Sequence, residues 1–388
     1  MTPAARVQAA IEILDTVQDG MPAEQALTRW ARKSRYAGSG DRAAVRDHVF
    51  STMRCLRSFA CLGGTDTGRG LMIGLLKSRS ENLDAIFCEL TYAPAPLSEE
   101  ERVSGQSPTT DAERLDVPDW LWPKFKSALG NDAEAAAIAL QRRASVHCRV
   151  NLTKTDVTTA IGLLAEDGVT CVPHTTTKTA LTVTEGSRRI RQSSAYQSGL
   201  IELQDAGSQT VINVLPLQDG MRVLDYCVGG GGKALAMAAR SQIDLYVYDV
   251  AEQRMRDLPE RAERAGAQFS TLTTEELSAA GTFDLVLCDA PCSGSGSWRR
   301  APEAKWRLTP ERLQEFENIQ GEILQKAAVL TAPDGVLVYI TCSILNEENE
   351  DSVNRFLKTN AGWKIVFQES LPITNETDGF FTTHLKRS

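Results

Sequence analysis

The sequence contains no apolar run long enough to cross a membrane, and its first residues, MTPAARVQAA, lack the basic-then-apolar order of a signal peptide. We therefore expect a cytoplasmic protein without a membrane partner. Histidine is scarce, with four residues, and the nine cysteines do not form two matched pairs at zinc-ligand spacing. An odd number of cysteines in a chain without an export signal also argues against a disulfide framework. The sequence predicts reduced thiols and no metal site.

Neither internal repeats nor low-complexity tracts occur in the 388 residues, a length that favours two or three domains. The net charge of -8 argues, as an average, against a nucleic-acid partner. The charges are segregated, however, with basic residues concentrated in 29–57 and 297–312 and acidic residues in 81–134. Because local patches decide nucleic-acid binding, an RNA partner stays open, as does the alternative that the basic helix faces are merely solvated.

The order of patterns along the chain predicts four segments. Apolar residues at helical spacing indicate a helical domain over 1–93, and prolines, serines and acids mark 94–115 as a linker. Residues 116–204 combine short strands and helices, which indicates a small α/β module. Over 205–388 strands and helices alternate regularly, which predicts a doubly wound, mostly parallel sheet.

Two predicted strands of this last segment end in loops that carry cysteine. The strand 285–288 is followed by Asp289 and Cys292, and the strand 336–340 is followed by Cys342. A lone cysteine is more often a small core residue. Because the carboxyl ends of neighbouring parallel strands face one crevice, we expect Cys292 and Cys342 to meet there. The pattern predicts an active site at this edge of the sheet.

The helices beside these strands have recognisable start signals. Thr309 is the predicted cap of a helix over 310–331, with Pro310 at its first position. Asn346 is the predicted cap of the helix after the second strand, whose first turn is rich in acids.

A glycine run, 229–232, follows another predicted strand and opens a helix, where exposed N–H groups suit a nucleotide ligand. Asp249, at the end of the next strand, is placed to bind ribose hydroxyls. Cys227 and Ala234 break the P-loop pattern, which disfavours ATP. Asp225 would repel a pyrophosphate but pair with the ammonium of an amino-acid moiety, which favours S-adenosylmethionine over NAD.

Three stretches together resemble motifs of the RNA 5-methylcytosine methyltransferases, closest to the bacterial 16S ribosomal RNA branch: VLDYCVGGGGKA, DAPCSGSGSWRRAPEAKW and TCSILNEENE. LQDAGSQ at 203–209 and DGFF at 378–381 match two further segments of that family. The resemblance covers 196–388, while the small module resembles an RRM-like domain and the N-terminal helices a shortened NusB-like RNA-binding domain. The chain departs from the family's Ala-Ala-Pro at 228–230.

The resemblance implies a Rossmann-like, S-adenosylmethionine-dependent methyltransferase domain that acts on carbon 5 of cytosine in RNA. Cys342 would be the nucleophile, Cys292 the agent of release, Asp289 a hydrogen-bond partner of the base and Lys233 an orienting residue. The implied cofactor residues are Asp225, Cys227, Val228, Gly229, Gly230, Gly231, Gly232, Lys233, Asp249, Arg254 and Asp289. The implied RNA contacts are Trp298, Arg299, Arg300 and Lys305; Trp306 fits either an RNA contact or a core anchor.

The implied partner is RNA, ribosomal in the first instance, and no obligate protein partner is evident. Transfer RNA is the alternative substrate. A non-catalytic RNA-binding or ribosome-assembly protein is the alternative from another class. A cysteine hydrolase would need a histidine beside Cys292, for which His384 is weak support. A dehydrogenase is disfavoured by Asp225.

Overall fold

The computed structural model describes all 388 residues, Met1–Ser388. Its contacts divide the chain into two compact units. The first comprises Met1–Arg143 and Trp298–Arg307, and the second comprises Ala144–Ser297 and Leu308–Ser388. These boundaries differ from the predicted ones, because residues up to Arg143 cluster with the N-terminal helices instead of with the small α/β module. No helix is both long and apolar enough to span a membrane.

The first unit is helical. Its helices are α1 (Pro3–Gln18), α2 (Ala23–Lys33), α3 (Ser39–Arg54), α4 (Leu56–Gly63), α5 (Gly68–Ser78), α6 (Glu99–Val103), α7 (Asp111–Arg114), α8 (Trp122–Leu129) and α9 (Ala133–Leu140), joined by the later helix α16 (Pro302–Arg307). Helices α4 and α5 lie backbone against backbone, since a Cβ on Gly74 would stand 2.0 Å from the carbonyl oxygen of Phe59. The predicted linker carries α6 and α7, so it is structured in part.

The second unit begins with a small antiparallel sheet in the order β2-β3-β1-β4. Its elements are β1 (Val146–Val150), α10 (Val157–Glu166), β2 (Thr170–Pro173), β3 (Ala180–Glu185), α11 (Ser194–Gln197) and β4 (Ile201–Leu203). Alternate residues of the sheet, such as Cys148 and Leu181, pack with Leu164 of α10 in a separate apolar core.

The larger sheet of the second unit has seven strands in the order β10-β11-β9-β8-β5-β6-β7. The elements are α12 (Ala206–Asn213), β5 (Arg222–Asp225), α13 (Gly232–Ala238), β6 (Asp244–Val247), α14 (Leu258–Ala265), β7 (Ser270–Thr271), α15 (Thr274–Ala279), β8 (Phe283–Asp289), α17 (Pro310–Leu330), β9 (Thr331–Thr341), α18 (Glu350–Thr359), β10 (Trp363–Leu371) and β11 (Phe380–Arg387). Strands β5 to β9 pair in parallel, whereas β11 and β10 extend the sheet beyond β9 as antiparallel strands. The predicted doubly wound, mostly parallel sheet is confirmed, and these two antiparallel strands were not predicted.

One predicted cap is confirmed and one is wrong. Thr309 caps α17, because its hydroxyl accepts the N–H of Arg312. Asn346 does not cap α18, which begins at Glu350 with Asn349 at the cap position. The Asn349 side chain instead reaches back to the end of β9, where its Nδ2 donates to the carbonyl of Ser343 at 2.9 Å. The intervening residues form a tight turn that belongs to the site described next.

Candidate active site

Two cysteine side chains meet at the carboxyl ends of neighbouring parallel strands. Strand β8 pairs with β9 up to Asp289 opposite Ile340, and the chain leaves each strand just beyond that point. The Sγ of Cys292 then lies 3.5 Å from the Sγ of Cys342. Both cysteines are free thiols and partly exposed. The predicted meeting of these two residues is confirmed, and their roles stay predictions.

The loop after β8 is fixed against the end of β9 by its backbone. The N–H of Gly296 donates to the carbonyl of Cys342 at 2.9 Å, and the N–H of Gly379 donates to the carbonyl of Gly296 at 2.9 Å. A Cβ at position 296 would lie 2.2 Å from the carbonyl oxygen of Gly379, so only glycine permits this approach. The spacing of the two thiols is therefore set by main-chain hydrogen bonds.

A lysine–aspartate pair borders the thiols. Lys233, in the first turn of α13, donates from Nζ to Oδ2 of Asp289 at 2.6 Å. Burial lowers the pKa of Lys233, but the adjacent Asp289 carboxylate more than offsets this, and the pKa of the amine is raised. The lysine is held as an ammonium, with its Nζ 5.4 Å from the ring centroid of Phe380.

The two thiols differ in acidity although they are chemically identical. The contact with the Cys292 thiol lowers the pKa of Cys342 against the opposing effects of burial and Asp289, and Lys233 also lowers it. The same contact raises the pKa of Cys292 well above its usual value, and burial raises it further. The lowered pKa of Cys342 favours its thiolate, the form of cysteine that acts as a nucleophile, whereas the raised pKa of Cys292 favours its thiol.

The glycine run between β5 and α13 is stabilised by side chains from neighbouring elements. Asp249 accepts the N–H of Gly229 through Oδ2 at 2.9 Å, and the same oxygen lies 3.4 Å from a guanidinium nitrogen of Arg254. Arg261 of α14 donates to the carbonyl of Gly230. Gly229 and Gly231 have positive φ angles of 51° and 80°, which other residues rarely adopt. The predicted nucleotide-binding turn is thus present, although Asp249 already accepts backbone hydrogen bonds.

Asp225 is a buried carboxyl group without a hydrogen-bond partner. Its side chain is at the end of β5, the residue is 1% exposed, and neither carboxyl oxygen has a hydrogen-bond partner. Burial raises the pKa of Asp225 to about 8, and the nearby Asp289 raises it as well. A buried carboxyl without a partner is costly. The group fits a cationic ligand such as the ammonium of S-adenosylmethionine, as the sequence predicts.

A buried glutamate beneath the thiols was missed by sequence reasoning. Glu348 is completely buried and accepts four hydrogen bonds, whose donors are the Ser293 N–H, the Ser293 hydroxyl, the Ser343 hydroxyl and the Gln320 amide. Ser293 follows Cys292 and Ser343 follows Cys342, so a single carboxylate connects both cysteine-bearing loops. Its only sequence signal is its place in the acidic run NEENE, which resembles an ordinary first helical turn.

Three of the four predicted RNA-contacting residues are buried. Trp298 and Arg299 are each 1% exposed and Lys305 is 2% exposed. Lys305 donates from Nζ to the carbonyl of Arg54 at 3.1 Å, and burial lowers its pKa to about 8. Trp306 donates from its indole to the carbonyl of Met53 at 2.6 Å and serves as an anchor in the first unit. Of the four predicted RNA contacts, Arg300 alone is exposed.

Comparisons with known proteins agree on one family. Residues 212–386 match the model described as 16S rRNA methyltransferase RsmB/F, and residues 117–188 match the ferredoxin-like domain of RsmF/B-like methyltransferases. Ribosomal RNA small subunit methyltransferase B of Salmonella arizonae is 30% identical over 301 residues, which cover 74% of this chain and 70% of that protein. The protein of the same name from Citrobacter koseri is 29% identical over 331 residues, covering 82% and 73%.

Two solved structures are similar in fold, one over the whole chain and one over most of it. The crystal structure of PH0851 aligns with a TM-score of 0.77 at 26% identity and covers 100% of this chain and 99% of that one. The structure of NSun6 from Pyrococcus horikoshii with SFG aligns with a TM-score of 0.59 at 18% identity, covers 70% of this chain and 98% of that one, and supports the fold alone.

Proposed function

Because the chain belongs to the RsmB/F family of S-adenosylmethionine-dependent 16S rRNA methyltransferases, we propose that it methylates carbon 5 of a cytosine in 16S ribosomal RNA through a covalent adduct of Cys342. The observation that supports this most directly is the pair of thiols 3.5 Å apart beside the Lys233–Asp289 ion pair. One of the thiols is set up as a thiolate and the other as a proton carrier.

The cysteines answer a specific chemical difficulty. Carbon 5 of cytosine is a poor nucleophile, and addition of a thiolate to carbon 6 converts the ring into an enamine-like nucleophile. Cys342 provides that thiolate, because its pKa is lowered by the Cys292 contact and by Lys233. S-Adenosylmethionine supplies the methyl group, and Asp225 and the glycine run, 229–232, are the residues that would hold it.

Asp289 and Lys233 act on the developing charge of the ring. Asp289 accepts a hydrogen bond from Lys233 and retains a second oxygen, which can accept from the exocyclic amine of the cytosine or, when protonated, donate to the ring N3. The ammonium of Lys233 fixes the orientation of Asp289, since their contact of 2.6 Å is that of a charge-assisted hydrogen bond. Asp289 contacts the substrate in this scheme, and Lys233 positions it.

Cys292 completes the cycle. Once Cys342 is bonded to carbon 6, the negative charge that raised the pKa of Cys292 is gone, so Cys292 ionises more readily. Its thiolate then accepts the carbon 5 proton, and the electron pair of the broken C–H bond expels Cys342 as a thiolate. The product leaves with the new methyl group, and the proton shared by the two sulfurs is restored.

The test uses labelled S-adenosylmethionine, protein-free 16S ribosomal RNA and four proteins: wild type, Cys292→Ala, Cys342→Ala and the double variant. The wild type should methylate one cytosine. Cys292→Ala should accumulate a protein–RNA adduct that survives denaturing gels, because addition proceeds and release does not. The double variant should form no adduct, and Cys61→Ala, a cysteine of the first unit, serves as the matched control.

An adduct that persists in the double variant would overturn the assignment of Cys342. Methylation of transfer RNA in place of 16S ribosomal RNA would overturn the proposed substrate while leaving the chemistry intact. Failure of the wild type to bind S-adenosylmethionine would point instead to a non-catalytic RNA-binding protein.

A further inference from the structure

The paired thiols have a second chemical capability that methyl transfer does not use. We propose that Cys292 and Cys342 form a reversible disulfide when the protein meets a peroxide, which switches the active site off and protects it. The inference rests on the proposed function in one respect, that Cys342 is the group whose loss stops catalysis. The site itself is defined by geometry, because the two sulfurs lie 3.5 Å apart and both residues are partly exposed.

The distance to be closed is small. A disulfide bond is about 2.05 Å long, so the sulfurs must approach by roughly 1.5 Å, which side-chain rotation can supply. The two loops are already held together by the hydrogen bond from Gly296 to Cys342 and by the hydroxyls of Ser295 and Ser343, which are 2.9 Å apart. Forming the disulfide therefore requires no movement of either loop. Reducing it leaves the two thiols in their original positions.

The two sulfurs also have complementary acidities for this chemistry. The Cys342 thiolate attacks a peroxide oxygen, the O–O bond breaks, and Cys342 becomes a sulfenic acid while the peroxide leaves, after taking up a proton, as water or an alcohol. Cys292 then attacks the sulfenic sulfur and expels its oxygen as water. For hydrogen peroxide the balance is two thiols and one peroxide giving one disulfide and two waters. A dithiol reductant reverses the change by exchange.

Neighbouring cysteines provide an internal contrast. Burial raises the pKa of both Cys227 and Cys288 well above the usual thiol value, and Cys288 is fully buried. Neither has a lowered pKa, so neither should react early with peroxide. Among these four cysteines of the second unit, the combination of a thiolate, a resolving thiol and partial exposure is specific to Cys342 and Cys292.

The experiment treats the full-length protein with hydrogen peroxide, blocks the remaining thiols under denaturing conditions and maps linked peptides by mass spectrometry. The expected result is a peptide containing Cys292 joined to one containing Cys342, with two of the nine thiols lost. Methyl transfer should fall in proportion to the linked fraction and return after dithiothreitol. Cys61→Ser should behave like the wild type.

A second variant tests whether the disulfide protects Cys342 from irreversible oxidation or only inactivates the enzyme. Cys292→Ser has no resolving thiol, so its Cys342 should pass from sulfenic to sulfinic acid, which dithiothreitol does not reverse. Its ability to form the RNA adduct should therefore stay lost after reduction, whereas a sample never exposed to peroxide forms the adduct. The melting temperatures of the two samples should be equal, which shows that the loss does not come from unfolding.

Inactivation of the wild type without the Cys292–Cys342 linkage would overturn the proposal, as would recovery of Cys292→Ser by dithiothreitol. The linkage is read by mass, not by activity. If the protein links its thiols but methylates no RNA, the proposed function fails while this inference stands; if it methylates RNA but does not link them, the reverse holds.

Discussion

The buried carboxyl of Asp225, which we propose binds the cofactor, should lower the free energy of unfolding of the free protein as the pH rises. Between the usual carboxyl pKa of 3.8 and the folded value of about 8, folded Asp225 keeps a proton that the unfolded chain has lost. The free energy of unfolding therefore decreases as the pH rises through this range, by about 1.4 kcal/mol per pH unit. Between about pH 5.5 and about pH 7.5 the contribution of this one group amounts to roughly 3 kcal/mol.

Asp225→Asn should remove that slope. The amide has the same shape and does not ionise, so the variant should match the wild type near the lower pH and exceed its stability by about 3 kcal/mol near the higher one. Urea unfolding at the two pH values measures both free energies. Asp334→Asn, an exposed carboxylate on β9, is the matched control and should leave the pH dependence unchanged.

The same variant should bind S-adenosylmethionine less tightly. A hydrogen bond to a charged group contributes about 1.5 to 3 kcal/mol, so its loss should weaken binding roughly tenfold to hundredfold by calorimetry. Greater stability together with weaker binding is the diagnostic result. If Asp225→Asn keeps the wild-type slope, the carboxyl is not protonated in the free protein; if its affinity is unchanged, Asp225 does not contact the cofactor.

Substitutions at three further positions test the framework of the site. Glu348→Ala leaves four donors without an acceptor and should destabilise the protein by roughly 3–5 kcal/mol in urea unfolding, whereas Glu348→Gln should cost about 1–2 kcal/mol; equal costs would refute the network. In the Cys292→Ala background, where the adduct accumulates, Gly296→Ala should abolish adduct formation in a folded protein, while Gly321→Ala, where a Cβ meets nothing within 4 Å, should retain it. Arg261→Gln should raise KM for S-adenosylmethionine several-fold (about 1 kcal/mol) with kcat preserved, and exposed Arg256→Gln should change neither.

The strand ends were predictable because their signals are local. An apolar, β-branched run followed by a polar residue marks the end of a buried strand, and the rules of parallel sheets bring such ends to one edge. Cys292, Cys342 and Asp289 could be placed together on those grounds alone. The glycine turn and Asp225 follow from the same reasoning, since they lie at the end of the neighbouring strand β5.

The loop 298–307 was not predictable, because its environment is made by residues remote in sequence. Arginines, a lysine and tryptophans in one loop are typical of an RNA surface. Here Arg54 donates from Nε to the carbonyl of Arg299 at 2.7 Å, and Lys305 donates to the carbonyl of Arg54. No local sequence pattern indicates that helix α3 supplies the partners of this loop. Its composition alone therefore predicted an exposed surface where the structure has a buried one.

The division of labour between the cysteines likewise comes from their surroundings and not from their sequence. The contact between the two thiols lowers the pKa of Cys342 and raises that of Cys292; Lys233 adds to the first effect, and burial and Glu348 add to the second. The two charged residues lie on different elements, one at the start of α13 and the other in the turn before α18. Each therefore favours a different ionisation state in two otherwise equivalent thiols. In the proposed mechanism this asymmetry makes Cys342 the nucleophile and Cys292 the group that transfers the proton. For the same reason a peroxide should react first with Cys342.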